Sequence, residues 1–144
     1  MKTLKILSLI VFFIGFTSCD KDDDGSKEDV ISFAGSYSRD FTLPGDISQT
    51  ATYTITQDAI NYDLAGLHNS NYDTQKKYYS DNDKRWVGYR DSNNQYYVIF
   101  FKNIIDNEIT LYKKKVESLE DGKSEPVPAA DDTENHGWNT YTKK

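Results

Sequence analysis

The sequence predicts an all-β fold, an antiparallel meander that closes into a small barrel. Segments in which apolar and polar residues alternate recur at short intervals, and turn-forming residues separate them. No window carries a helical pattern long enough to connect parallel strands. The 144 residues include one Cys and two His and have a net charge of −6. This composition suits one domain and excludes a disulfide framework, a Cys/His zinc site and a basic nucleic-acid surface.

The amino terminus has the pattern of an export signal. Lys2 and Lys5 are followed by the mostly apolar residues 6–16, a run that matches a secretory signal and is too short to span a bilayer. Phe16-Thr17-Ser18 then leads into the only cysteine, Cys19. Here the chain resembles bacterial lipoproteins, in which that cysteine is acylated. The resemblance implies a signal peptide at 1–18 and attachment to a membrane through Cys19.

The residues after Cys19 are predicted to form a flexible tether, 19–32. Residues 20–29 hold six acids, two Lys and no apolar side chain, so they have nothing to bury. Asp20, Asp22 and Asp24 match the first half of a calcium loop, but Ile31 stands where the bidentate Glu belongs. The tether interpretation is therefore favoured.

The same acidic stretch bears on localisation. Lys21-Asp22-Asp23-Asp24 resembles the surface-export signal of Bacteroidota-type lipoproteins, which implies the outer membrane and the cell surface. Asp20, directly after the cysteine, resembles an inner-membrane retention signal in some other bacteria. A periplasm-facing orientation therefore stays open.

The predicted domain, 33–144, begins with three strand patterns. Phe33 to Leu43 reads as a strand that ends in a Pro-Gly turn. Residues 51–57 then alternate strictly, with Ala51, Tyr53 and Ile55 on one face and Thr residues on the other. Ile60 to Leu64 alternates in the same way and ends near Gly66. The opening Phe33-Ala34-Gly35-Ser36-Tyr37 resembles the start of lipocalin-type and calycin barrels, which implies closure of the sheet.

Three further strands are predicted after a polar interruption at 68–77. Tyr78-Tyr79 and residues 85–90 suggest one strand, and the Asp91-to-Asn94 cluster marks a hairpin turn. Residues 95–102 are apolar on both faces, which places this strand centrally. In the last strand, 109–116, a run of three lysines at 113–115 is expected to discourage edge pairing.

The carboxyl-terminal part combines a polar loop and an aromatic segment. Residues 119–135 contain six acids against one Lys, with Gly and Pro, and predict a long solvated loop. Residues 136–142 include Trp138 and Tyr141, so we expect this segment to dock as a closing strand or as a plug. More than half of the acidic residues thus lie in the tether and the loop. Because salt screens exposed charges, the negative net charge is weak support for a basic partner.

Candidate chemistry is sparse. His68 and His136 lie beside predicted loops, and neither has a second ligand at metal spacing. His68, Ser70 and Asp73 contain the residue types of a triad, but triads are assembled from distant elements. Asp81, Asp83 and Asp91 could supply the carboxylate pair of a glycosidase. Roles in turns and in contact with solvent explain these aspartates more simply. A non-enzymatic protein without cofactor or metal is predicted.

Aromatic residues are the feature in excess. Five lie within residues 72–89, interleaved with polar side chains, and such faces suit sugars, small molecules or a protein hot spot. The predicted ligand-binding residues are Tyr78, Trp86, Tyr89 and Trp138; the alternative is that many of these rings fill the core. Strand parity places Trp86 and Tyr89 on opposite faces unless a bulge intervenes.

Two functions are compatible with these patterns. The first is a membrane-anchored binding module for a small ligand or glycan. The second is a protein-interaction lipoprotein, such as an immunity or inhibitor protein or an accessory subunit of an outer-membrane complex. A deep cavity favours the first, and a filled barrel with an exposed aromatic patch favours the second.

Overall fold

A computed structural model describes residues 29–144. The predicted signal peptide, Cys19 and residues 20–28 lie outside the described residues. Eight antiparallel strands form one closed barrel in which each strand pairs with its neighbours in sequence. The strands are β1 (Gly35–Leu43), β2 (Ile47–Ile55), β3 (Ala59–Gly66), β4 (Ser70–Ser80), β5 (Arg85–Arg90), β6 (Gln95–Ile105), β7 (Glu108–Val116) and β8 (Asn139–Lys143). The predicted all-β barrel is confirmed.

The carboxyl-terminal segment closes the barrel. β8 pairs with β7 through Glu108 to Leu111 and with β1 at Tyr37 and Ser38. Tyr141 is buried in the interior, where it belongs to the main core. Of the two forms of docking expected for 136–142, the closing strand is therefore the observed one.

β4 replaces most of the polar loop expected at 68–77, so that expectation is wrong. Residues 70–75 alternate, with Tyr72 and Thr74 more buried and Asn71, Asp73 and Gln75 exposed. The polar side chains on the outer face give residues 70–75 the composition of a loop, because the inner face of this part of β4 carries a single aromatic ring, Tyr72. A bulge between Lys76 and Tyr78 then shifts the register against β5, as bulges do.

A short helix, α1 (Leu119–Ser124), covers the outer face of β5 to β7, so 119–135 is not solvated throughout as expected. Ser118 caps the helix by accepting a hydrogen bond from the Asp121 amide at 3.1 Å. Gly122 lies so close to Val87 that an added Cβ would be 2.6 Å from its Cγ1. Beneath this helix is a second core of buried side chains: Val87, Val98, Phe100, Tyr112 and Val116. β6 is apolar on both faces because one face meets each core.

The chain before β1 packs into the barrel, which corrects the tether boundary at residue 32. Ile31 is 2% exposed and Phe33 5%, and both belong to the main core. The Ile31 backbone exchanges two hydrogen bonds with the Gln57 side chain, at 3.0 and 2.9 Å. The Phe33 ring lies 4.9 Å from that of Phe101. We call this end, with the turns at 56–58, 81–84 and 106–107, the packed end.

The opposite end carries the turns at 44–46, 67–69 and 91–94, and we call it the open end. Its strand termini are lined by half-buried rather than fully buried residues, such as Phe41, Leu43 and Leu64. Within residues 29–144, no helix has the length and apolar character needed to cross a membrane.

Candidate ligand-binding cavity

A cavity of about 530 Å³ occupies the open half of the barrel. This volume falls within the range of roughly 300–1,000 Å³ that is typical of small-molecule sites. Side chains of β1, β2, β3, β4, β7 and β8 and the loop 135–137 form its wall: Arg39, Phe41, Leu43, Ala51, Tyr53, Tyr62, Leu64, Tyr72, Leu111, Lys113, Asn135, His136, Gly137, Asn139 and Tyr141.

Strand alternation explains which residues face the cavity. Successive side chains of a strand point to opposite faces, so every second residue faces inward. Register then aligns inward residues across strands: Ala51 pairs with Leu64, Tyr53 with Tyr62, and Tyr62 with Tyr72. The tyrosines of β2, β3 and β4 thus meet at one level of the barrel.

The tyrosine rings form a continuous aromatic wall. The Tyr62 ring lies 4.9 Å from that of Tyr53 and stacks on Tyr72 at 5.0 Å with an interplanar angle of 28°. Tyr141 meets Tyr53 edge-on at 5.2 Å. Desolvation is the largest cause that raises the pKa of Tyr62, to about 12, and it also raises those of Tyr53 and Tyr141. These hydroxyls are therefore neutral at physiological pH and can donate or accept hydrogen bonds.

Two cationic side chains line the cavity with these rings. The Lys113 Nζ donates to the Tyr72 hydroxyl at 2.9 Å and lies 4.9 Å from the centre of the Tyr62 ring. Arg39 donates through Nη1 to Asn139 Oδ1, and its guanidinium lies 5.5 Å from the centre of the Phe41 ring. No aspartate or glutamate is among the described residues that line this cavity.

A third cation, Arg90, contacts a tyrosine of the cavity wall. The guanidinium of Arg90 lies over two aromatic rings, 3.3 Å from the centre of Tyr72 and 4.4 Å from that of Tyr97. It is close enough to Tyr53 to oppose, in part, the raised pKa of that hydroxyl. Arg90 is 9% exposed, and its Nε and Nη2 have no hydrogen-bond partner among the described residues.

The four predicted ligand-binding residues lie away from this cavity. Trp86 is 0% exposed in the packed interior, beside Gly88, where an added Cβ would be 2.1 Å from its ring. Tyr78 and Tyr89 are half-buried on the outer face, Tyr89 with its ring 4.8 Å from that of Tyr96. Trp138 donates to the Ala129 carbonyl at 2.9 Å and packs on Tyr112. Their role in binding stays a prediction, and the opposed faces of Trp86 and Tyr89 are confirmed.

The candidate catalytic residues are not brought together as a site. His136 is exposed and lines the cavity at the loop 135–137, whereas His68 is exposed in the turn between β3 and β4. Asp81 bonds Lys84 and Tyr79, and these contacts lower the pKa of its carboxyl. Over residues 29–144, no group of three or more His, Cys, Asp or Glu could hold a metal ion.

Sequence reasoning missed the cavity residues for identifiable reasons. The run of three lysines predicts that Lys113 protects a strand edge, but the Lys113 side chain lines the cavity. Tyr72 lies in the segment 68–77, which the sequence predicts to be a polar loop. The available signal was parity, since Lys113 shares a strand face with the apolar residues Ile109 and Leu111, and both of these lie in the main core.

Comparisons with protein-family profiles, with curated proteins and with solved structures find no match to this chain.

Proposed function

We propose that this protein is a non-catalytic, membrane-anchored binding module that holds a small ligand in the barrel cavity. The observation that carries the proposal is the cavity of about 530 Å³ with its wall of tyrosine rings, aliphatic side chains and two cations. Sites for small molecules combine an apolar lining with a few polar groups in the same way. A flat sugar or aromatic molecule could lie against the tyrosine faces.

The anchor and the cavity would lie at opposite ends of the domain. The proposed lipid site, Cys19, precedes Ile31 by twelve positions, and Ile31 docks at the packed end. The cavity lies in the other half of the barrel, where Leu43, Leu64 and the loop 135–137 line it. An acylated Cys19 would thus hold the barrel by its packed end on the outer membrane, proposed to be at the cell surface, with the open end directed toward the surrounding medium.

Ligand binding can be tested with the neutral dye phenylnaphthylamine, whose fluorescence rises in apolar surroundings. Residues 20–144 contain every strand of the barrel and both cores, so this soluble form is suitable. We expect binding by the wild type and a loss of about tenfold or more in Ala51→Phe, since Ala51 lines the cavity. Thr52→Phe is the matched control, because Thr52 is the next residue of β2 and lies outside the lining.

Two outcomes would contradict the proposal. One is an absence of binding of both phenylnaphthylamine and its anionic analogue anilinonaphthalene sulfonate by a wild-type protein that shows a cooperative unfolding transition. The other is equal dye affinity in Ala51→Phe and Thr52→Phe when both unfold cooperatively. Either result would favour the protein-interaction function, which a pull-down from secreted proteins could then examine.

The anchor needs its own experiment in the full chain. Cys19→Ala should remove labelling by a palmitate analogue and release the protein from the membrane fraction, because the sequence offers no second cysteine. Two or more acyl chains are needed for stable anchoring, at about 0.8 kcal/mol per buried methylene. Labelling of the variant at wild-type level would refute lipidation. Protease treatment of whole cells distinguishes the surface from the periplasm.

A further inference from the structure

The charges on the inner and outer faces of the barrel are organised differently. Three lysines of the described chain form ion pairs outside the cavity: Lys84 with Asp81, Lys114 with Glu125, and Lys123 with Glu120. Lys113 and Arg39, which line the cavity, pair with no carboxylate of the described residues, and neither does Arg90. Their polar contacts are with a phenol, an amide oxygen and aromatic rings.

The positive charges of these three side chains are therefore not neutralised by any carboxylate of the described residues. Burial of an unpaired charge is unfavourable, and aromatic rings compensate for it only in part. Arg90 is the clearest case, since it is nine-tenths buried and two of its nitrogens have no partner in the part of the chain that the structure describes. A concave site lined by one sign of charge also concentrates ions of the opposite sign.

The hydrogen-bonding capacity of Lys113 also favours binding of an anion. An ammonium group has three donors, and the Tyr72 hydroxyl takes one of them. The Nζ stays within 5.6 Å of the centres of the Tyr62, Tyr72 and Tyr97 rings. It therefore lies where an acidic group on a ligand would meet a cation, a phenol and a flat aromatic surface together.

From these observations we infer that the cavity binds a small organic anion, with a carboxylate or sulfonate at Lys113 and Arg39 and an apolar or aromatic body against the cavity wall. Phe41, Leu64 and Leu111 supply apolar surface for that body. The inference rests on the proposed function and narrows it, because neutral glycans and neutral apolar molecules become the weaker ligands.

Two dyes with the same ring skeleton test the inference. Anilinonaphthalene sulfonate carries the anionic group, and phenylnaphthylamine lacks it. We expect the wild-type residues 20–144 to bind the sulfonate dye at least about tenfold more tightly, since hydrogen bonds to charged groups are the stronger ones. Lys113→Met should lose about tenfold in affinity for the sulfonate dye and change less than about twofold for the neutral dye.

Lys115→Met is the matched control, because Lys115 lies two residues along β7, is exposed and does not line the cavity. It removes the same formal charge and should leave both affinities within about twofold. Lys113→Arg keeps the charge and should retain the preference for the sulfonate dye. Should Lys113→Met fail to unfold cooperatively, Arg39→Met provides the same comparison at the second cation.

The outcomes separate this inference from the proposed function. If neither dye binds, the cavity is not a binding site and both fail. If the neutral dye binds as tightly as the sulfonate dye, or Lys113→Met weakens both dyes equally, the protein binds a ligand but not an anion. An equal loss in Lys115→Met would indicate attraction to the whole surface and would also overturn the assignment.

Discussion

Ile31 offers a sharp test of how the domain begins. Its side chain is 2% exposed, whereas that of the adjacent Val30 is 70% exposed. Ile31→Ala removes three carbons, which at about 0.8 kcal/mol each amounts to roughly 2.4 kcal/mol of lost burial. The cavity left behind raises the expected loss into the range of about 2–5 kcal/mol. Val30→Ala should change stability by no more than about 0.5 kcal/mol, as exposed substitutions usually do.

Urea unfolding followed by tryptophan fluorescence measures this difference. Trp86 is 0% exposed in the packed interior, so its emission should change sharply when the barrel opens. For a small protein with a slope of about 1–3 kcal/mol per molar urea, the midpoint of Ile31→Ala should fall by roughly 1 M or more. Equal midpoints for Ile31→Ala and Val30→Ala would refute the docking of this segment and return the domain boundary to residue 33.

Three further predictions concern the second core, the packing around Trp86 and the cavity wall. Phe100→Ala should lower stability by about 3–5 kcal/mol, because Phe100 is 1% exposed beneath α1; an unchanged urea midpoint would contradict the second core. Gly88→Ala should lower the free energy of unfolding by about 1–3 kcal/mol, because the added methyl group overpacks against Trp86. Tryptophan emission should shift as well, and a variant with wild-type emission and stability would contradict this packing. The pKa of Tyr62 is about 12 in the folded state and exceeds the ordinary value of 10.0. The stability that the neutral Tyr62 hydroxyl contributes should therefore be present below about pH 10 and be lost as the pH rises toward 12. Between about pH 9 and 11, the urea midpoint of Tyr62→Phe should fall less than that of the wild type, and an identical pH dependence of the two proteins would contradict this.

Local patterns were sufficient for most strands because alternation and turn chemistry act over a few residues. The hairpin turn at 91–94 is a direct case, since Asn94 adopts the left-handed conformation that Asn tolerates, with φ 52° and ψ 47°. The opposed faces of Trp86 and Tyr89 followed from parity alone. Most of β4 was not predicted, because its outward polar residues fit the composition of a loop as well as that of a half-exposed strand.

The candidate site shows where local reasoning ends. The excess of aromatic residues was visible in the sequence, but which rings fill a core and which line a cavity depends on neighbours far along the chain. Trp86 fills the space beside Gly88, whereas Tyr72 meets Lys113, forty-one positions away. A lysine in a run of three reads as surface until the strand beside it and the direction of its side chain are known.

By itself, the sequence determined the class of the fold, the order of most strands, the docking of the carboxyl-terminal segment and the opposite facing of Trp86 and Tyr89, because these depend on short-range periodicity and steric preference. The tertiary structure alone decided that β8 closes the ring, that Ile31 belongs to the core, that a short helix covers a second core, and that Arg39 and Lys113 face one cavity. Those features arise from contacts between residues distant in the chain, which appear only when closure brings the strands into register.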